Sequence, residues 1–234
     1  YLTMRRAEDP RIRKNLSVIH ESGNHLIGLV SDILDLSKLE ADKIMLDDVD
    51  LAIDGVLERV STMTAARAQS QGLEMAFSVA PEVPRQLRGD TVRLSQVLLN
   101  YVSNAIKFTE RGEVTVRVDL ESQDADSVLL RFSVTDTGIG MSEATQQGLF
   151  ERFHWGDASL TRKQSGSGLG LEISRSLARL MGGELTARSQ LGQGSVFTLS
   201  LKTPWATLTA GAAPAPGSGG SASPDPLEPG LSNE

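Results

Sequence analysis

Asn100 and Asn104 stand one helical turn apart in a stretch, 91–108, whose apolar residues recur at helical spacing, and Lys107 follows on the same side. The apolar stripe of Leu94, Leu98, Tyr101, Ala105 and Phe108 lies on a different face. A side-chain amide oxygen is a hard ligand suited to Mg²⁺, which keeps several waters and takes few protein ligands. An amine beside it can neutralise a phosphate. Taken alone, such a cluster reads equally well as a solvated helix face.

Asp136-Thr137-Gly138-Ile139-Gly140 offers a second group. Asp136 continues the even-numbered register of Val128, Leu130, Phe132 and Val134, so its carboxylate should point to the apolar side at a strand's end. A carboxylate there needs donors, since burying it unpaired is costly. An adenine amino group would supply one, and the glycines let a ligand approach the backbone. The plain alternative is an Asp-Gly turn, which by itself is the commoner case.

A third group is Gly166-Ser167-Gly168-Leu169-Gly170-Leu171, leading into a helical pattern that ends near Met181-Gly182-Gly183. Free N–H groups and the helix dipole favour phosphate at such a junction. No Gly-Lys-Ser/Thr follows, and the dinucleotide-binding spacing fails, so neither of those glycine motifs applies. The fourth group is Leu149-Phe150-Glu151-Arg152-Phe153. Its aromatics can anchor a polar stretch, 154–166, containing His154, Asp157, Arg162 and Lys163, which reads as a lid.

Residues 43–203 must supply the scaffold. Strand-like alternation occurs at Leu73, Met75, Phe77 and Val79, at Val114 to Leu120, at Val128 to Val134, and at Phe197 to Leu201. Helical patterns lie near 50–70, 91–108 and 168–182. The short polar connection between 113–120 and 128–135 predicts an antiparallel hairpin. The mixed order predicts an α/β two-layer sandwich with helices on one face of a mixed sheet. Upstream, Ile12, Leu16, Ile19, Gly23, Leu26, Val30, Ile33 and Ser37 form a heptad seam, which predicts one long helix over about 11–40. Pro10 suits its first turn and Asp9 its cap. The helices it would pack against are expected on another chain or outside this sequence. Residues 206–234 are mostly Ala, Gly, Pro, Ser and Thr and predict a disordered linker, with ordered structure ending near Trp205.

The bulk composition closes off several classes. Aromatic residues are only 4% of the 234, so the core must rest on Leu, Val, Ile and Ala. No cysteine is present, which removes disulfides and thiolate chemistry. A net charge of −7 without a basic run gives nucleic-acid binding no electrostatic support. No apolar run approaches the roughly 20 residues that span a bilayer.

Each group is weak alone, but their order and spacing are not. Asn100 to Thr109, Asp136 to Gly140, Leu149 to Phe153 and Gly166 to Leu171 resemble the N, G1, F and G2 boxes of sensor histidine kinases. Gly192-Gln193-Gly194-Ser195-Val196-Phe197 resembles that family's closing turn and strand, and the likeness spans about 90–201. It implies the Bergerat-type ATP-binding sandwich with ATP and Mg²⁺ as cofactors. It also implies roles: Asn104 on Mg²⁺ with Asn100 assisting, Lys107 on the phosphates, Phe108 beside adenine, and Asp136 on the adenine amino group. Gly138 and Gly140 would shape that wall. Gly166, Ser167, Gly168, Leu169 and Gly170 would wrap the phosphates, with Ser195 also counted among the ATP-binding residues.

Ser31 to Ala41 resembles the end of the second helix of the family's dimerisation and phosphotransfer hairpin. The expected division is therefore 1–42 hairpin remnant, 43–205 ATP-binding domain and 206–234 tail. The first hairpin helix, with its acceptor His-Glu pattern, has no counterpart here. The chain begins at Tyr1 rather than Met, and is expected to be a fragment that binds nucleotide without phosphorylating itself. His20 precedes Glu21 but lacks the rest of that pattern; polar helix positions are expected for His20 and His25, and exposure for His154. In the parent, the resemblance implies a homodimer and phosphate relay to a receiver-domain aspartate. The box wording resembles hybrid kinases, and the tail would suit a tether to a fused receiver. This portion would be cytoplasmic, and anchoring of the parent in the inner membrane stays open. Two rivals are a non-kinase ATPase of the same fold and a degenerate nucleotide-binding scaffold. The first needs an acid near the first asparagine, and Val97 to Ser103 contain none.

Overall fold

The structure is a computed structural model that describes residues 9–41, 43–85, 87–150 and 168–204. Its elements are α1 (Pro10–Glu40), β1 (Val49–Leu51), α2 (Ile53–Gln71), β2 (Glu74–Val79), β3 (Leu87–Gly89), α3 (Thr91–Phe108), β4 (Glu113–Gln123), β5 (Ser127–Asp136), α4 (Glu143–Gln147), α5 (Gly170–Leu180), β6 (Gly183–Gln190) and β7 (Gly194–Pro204).

Period-two alternation builds the main sheet, in the order β2-β4-β5-β7-β6. Only β2 and β4 run parallel; the other neighbours are antiparallel, including the predicted β4–β5 hairpin. On β5 the residues Val128, Leu130, Phe132, Val134 and Asp136 are all buried, while Arg131 and Thr135 are exposed. One face is therefore apolar and covered, the other polar and open. The helices lie on the covered face: α2 against α3 and β2, α3 against β4, β5 and α5, and α5 against β6. Leu98, Tyr101, Val102 and Ile106 of α3 are fully buried against Val116, Phe132 and Leu199. Burial of such side chains is worth about 1.5–3 kcal/mol each, so this stripe fixes how α3 presents its polar side.

Asp90 starts α3. Its Oδ1 accepts from Arg93 N at 2.9 Å, the usual way to satisfy a free N–H of the first turn. Its Oδ2 accepts from Asp47 N at 3.1 Å, tying the segment after α1 to the same cap. Asp90→Ala removes both acceptors and is expected to cost about 2 kcal/mol. That corresponds to a fall of roughly 4–8 °C in the Tm read by calorimetry. A Tm within 1–2 °C of wild type (about half a kcal/mol) would mean the cap is dispensable.

The long N-terminal helix forms as expected. Asp9 Oδ1 accepts from Arg11 N at 2.7 Å, and Pro10 opens the first turn. The heptad seam does not face the other described residues: Ile12, Ile19, Leu26, Val30 and Ile33 are exposed, and Leu16 is half-buried. Contact with the sandwich comes instead from the last turns of α1. There Leu36 and Leu39 pack on the core, and Asp35 Oδ2 accepts from Gln96 Nε2 of α3 at 2.8 Å. None of the described helices is long and apolar enough to cross a membrane.

Four elements, three of them short, were not expected. The strands β1 and β3 pair only with each other, antiparallel, over three residues each. α4 has five residues, and β6 is an edge strand whose one fully buried residue is Leu185. Such elements are set by tertiary contact more than by local pattern. The segments 151–167 and 205–234, which hold the expected lid, Gly166, Ser167, His154, Trp205 and the tail, lie outside the described residues.

Candidate functional site

The C-terminal end of α3 and the turn after β5 are joined directly. Ile139 N donates to Phe108 O at 3.1 Å. A Cβ on Gly138 would lie 2.8 Å from the Phe108 carbonyl carbon, so only glycine allows this approach. Asn104, one turn before Phe108, is thus carried on the helix whose end abuts the Asp136 turn.

Asp136 is buried, as its register predicts. Gly138 N donates to its Oδ1 at 2.9 Å, and the Ser195 amide and hydroxyl also donate to the carboxylate. Burial pushes the Asp136 pKa above the ordinary carboxylate value, and these three donors hold the rise back. Ser195 owes its place to the register of the sheet, in which Asp136 pairs with Ser195 across β5 and β7.

A bracket that the sequence did not reveal holds the turn from the other side. Met141 N donates to Ser189 Oγ at 2.7 Å, and Ser189 Oγ donates to Gly194 O at 2.8 Å. Gln146 of α4 spans the gap: its Nε2 donates to Ser189 O at 2.9 Å and its Oε1 accepts from Ser189 N at 3.1 Å. Gly192 N donates to Ile139 O at 2.7 Å. Gly140, at φ 65°, takes a left-handed conformation against the Gln190 carbonyl. Ser189 and Gln146 are ordinary surface types in the sequence, and no signal there points to them.

The amide face of α3 meets the start of α5. Asn100 Nδ2 donates to Ser174 Oγ at 2.8 Å, and Asn104 Nδ2 donates to Asn100 Oδ1 at 3.4 Å. A Cβ on Gly170 would lie 2.6 Å from Asn100 Oδ1, so the first turn of α5 presses on that amide. Leu169 stands at the N-cap position of α5 and supplies no side-chain cap, while Gly168 precedes it at φ 69°. Lys107 is half-buried with its Nζ 4.8 Å from the centre of the Phe108 ring. Burial lowers its pKa, and Arg67 of α2 lowers it further. Phe150 is half-buried beneath the Arg175 guanidinium, 5.3 Å from the ring centre.

Asn100, Asn104, Lys107, Phe108, Asp136, Gly138, Gly140, Gly168, Leu169, Gly170 and Ser195 therefore gather around one end of the sheet and the adjoining ends of α3 and α5. A cavity of about 180 Å³ at the opposite end of β7, between Leu46, Leu51, Leu94 and Thr203, touches none of them.

The donor set suits a magnesium nucleotide. Among the described residues no group of three His, Asp or Glu side chains is placed to hold a metal alone. Neutral amide oxygens leave Mg²⁺ to take its remaining ligands from water and phosphate, which matches that ion's habit. The glycine-lined turn beside a buried carboxylate suits a flat base with an amino group.

Residues 89–204 match the family described as histidine kinase-, DNA gyrase B-, and HSP90-like ATPases. The chain belongs to that family through this segment, and it carries the ATP-binding catalytic domain of a histidine kinase, with the α/β Bergerat-type sandwich. Among its relatives, the sensor histidine kinase GacS of Pseudomonas protegens is 43% identical over 195 residues, covering 83% of this chain and 21% of that protein. The signal transduction histidine-protein kinase BarA of Escherichia coli K12 is 38% identical over 196 residues, covering 84% and 21%. The solved structure of full-length ShkA in complex with AMPPNP superposes with a TM-score of 0.70 at 34% identity, covering 84% of this chain and 40% of that one. The chain thus spans about a fifth of the length of the two curated relatives.

Proposed function

We propose that the site binds one Mg²⁺-ATP and that, in the whole protein, it provides the γ-phosphate for an acceptor histidine and onward relay to a receiver-domain aspartate. The junction of α3 with the Asp136 turn carries this reading, because it sets an amide face beside a buried carboxylate. Asn104 and Asn100 would meet the metal, and Mg²⁺ when bound would neutralise charge on the phosphates. Asp136, with Gly138 and Gly140, would receive the adenine edge beside Phe108. The start of α5, with Gly168, Leu169 and Gly170, would face the phosphates. Gly166 and Ser167 belong to the same proposal by sequence, as does the approach of Lys107 to the phosphates.

Transfer of a phosphoryl group asks mainly for positioning and charge stabilisation. This domain would hold the nucleotide, and the imidazole would come from a helix seated on the outward seam of α1. The exposed Ile12, Ile19, Leu26, Val30 and Ile33 support such a bundle, and with it a homodimer of the parent. The relatives' names, sensor and hybrid signal transduction histidine kinases, support a kinase in signal transduction; a two-component role, a receiver partner and a cytoplasmic position for this portion belong to the same proposal. The net charge of −7 gives a nucleic-acid role no electrostatic support.

Calorimetric titration of Mg²⁺-ATP is expected to give saturable binding at one site. Asp136→Asn replaces a charged acceptor with a neutral amide and should weaken it by about 1.5–3 kcal/mol, roughly tenfold to a hundredfold. The absence of binding at millimolar nucleotide would end the proposal. The nucleotide-free chain gives an independent check on Asp136. Its folded pKa is raised, so its contribution to stability is present below the unfolded value and lost as pH rises through the folded one. Asn has no such titration. The Tm difference, Asp136→Asn minus wild type, should therefore grow with pH across that window; a flat or falling difference would contradict the burial argument.

A further inference from the structure

The apolar stripe of α5 contains one residue that does not belong there chemically. Ile173, Leu177 and Ala178 are buried, and Ser174 is buried with them at 2% exposure. A hydroxyl in such a place needs a partner, since an unmatched buried polar group is costly. The partner is the Asn100 amide, whose Nδ2 donates to Ser174 Oγ at 2.8 Å. Gly170, one turn earlier on the same face of α5, lies so close that a Cβ would stand 2.6 Å from Asn100 Oδ1. Gly170 and Ser174 together form a cradle for this one carboxamide.

The cradle acts beyond Asn100. Asn104 Nδ2 donates to Asn100 Oδ1 at 3.4 Å, so the three side chains form a relay from α5 along α3. In it both amide nitrogens are committed to protein acceptors. Asn104 Oδ1 is the acceptor left over by the relay, and Asn100 Oδ1 keeps a second lone pair. A carboxamide presents two faces of opposite polarity, and only the oxygen face attracts a cation. Which face is offered is decided by the hydrogen bonds of the other.

We propose that Ser174 is a positioning residue for the cation: by holding the Asn100 nitrogen it turns the Asn100 and Asn104 oxygens toward the metal that accompanies the nucleotide. This rests on the Mg²⁺-ATP reading above. It makes a claim that reading does not, namely that loss of a hydroxyl on α5 acts on the metal-dependent part of binding. Ser174→Ala takes away the acceptor that the Asn100 nitrogen uses on α5. The amide can then turn over, and a partial positive charge meets the cation.

The test compares ATP affinity with Mg²⁺ and with EDTA, by calorimetry, for wild type, Ser174→Ala, Ser174→Thr, Asn100→Ala and the Asn100→Ala/Ser174→Ala pair. Ser174→Ala is expected to lower Mg²⁺-ATP affinity about threefold to tenfold, the usual net worth of one such bond. It should leave metal-free affinity within about twofold, a shift too small for a lost hydrogen bond. Ser174→Thr, which keeps the hydroxyl, should recover the metal-dependent gain. The double variant should bind no worse than Asn100→Ala, because the relay has already lost its middle member. A second readout needs no nucleotide: the side-chain amide protons of Asn100 should exchange slowly in the wild type by NMR and quickly in Ser174→Ala. Equal losses with and without Mg²⁺, no loss at all, additivity with Asn100→Ala, or an unchanged Asn100 amide would each overturn the proposal. A wild type that keeps the slow amide but binds no Mg²⁺-ATP would overturn the nucleotide reading and remove the cation role with it. A wild type that binds tightly while Ser174→Ala is silent would overturn the positioning role alone.

Discussion

Asn104→Asp is expected to reduce Mg²⁺-ATP affinity at least a hundredfold, with the fold intact. The change removes the amide NH₂, with both of its N–H donors, and adds one charge. One of the lost N–H groups is the donor that reaches Asn100 Oδ1, so a carboxylate oxygen would face an amide oxygen across that 3.4 Å gap. Two acceptors cannot share the position, and the side chain must turn away from the geometry in which its remaining oxygen is offered. The added charge is the larger effect. At an effective dielectric constant near 20, like charges about 4 Å apart repel by roughly 4 kcal/mol, close to a thousandfold in affinity. Attraction to Mg²⁺ returns part of this, which is why the bound is set at a hundredfold. Half-burial of Asn104 on a helix anchored by its opposite face predicts little change in Tm. Titrations of Mg²⁺-ATP into both proteins decide the matter. An affinity within about tenfold of wild type, or 1.4 kcal/mol, would take Asn104 out of the metal site.

What could be read in the sequence divides along physical lines. The amide face of α3 was legible because a helix with a period of 3.6 leaves no choice: once Leu98, Tyr101 and Ala105 go to the core, Asn100 and Asn104 must share the opposite side. Burial of Asp136 was legible for the same kind of reason, through the period of two on β5. Both depend on runs long enough to establish a phase. β6 does alternate, with Glu184, Thr186, Arg188 and Gln190 exposed, but an edge strand buries little, and Leu185 is the one large apolar residue that marks its inner face. β1 and β3 exist because they meet each other.

The supporting shell was less visible still. Ser189 and Gln146 act in part through three hydrogen bonds whose partners lie 43 or more residues away, and no local pattern encodes such a meeting. Ser174 is intermediate. A polar residue inside the apolar stripe of α5 is a detectable anomaly, although its partner, Asn100, lies 74 residues away. The seam on α1 was legible as a pattern, but its direction was not. Asp35 and Leu36 show which side faces the sandwich only after Gln96 has been brought to them.

Gly194→Ala and Gly192→Ala separate two reasons for a glycine in the same turn. Both residues have positive φ, 93° at Gly194 and 78° at Gly192, so an L-residue pays a left-handed penalty at either. That penalty is about 1–2 kcal/mol. At Gly192 nothing lies within 4 Å of the added Cβ, and its N–H can still donate to Ile139 O. The cost there should stop at the backbone term. At Gly194 the Cβ would stand on the Asp136 carbonyl oxygen, 2.8 Å from the carbonyl carbon and 3.0 Å from the Thr137 Cα. These are backbone atoms of a central strand and cannot swing aside. The first rungs between β5 and β7 must open, and Ser195 moves off the carboxylate it supports. Gly194→Ala is therefore expected to cost about 3–5 kcal/mol, at the upper end of single substitutions, with Tm lower by roughly 6–20 °C. It should also weaken nucleotide binding more than tenfold, because Asp136, the proposed adenine acceptor, loses its neighbours. Gly192→Ala should lower Tm by about a third as much and leave affinity near wild type. Equal effects of the two substitutions would mean that the close approach of Gly194 to Asp136 does not organise the site.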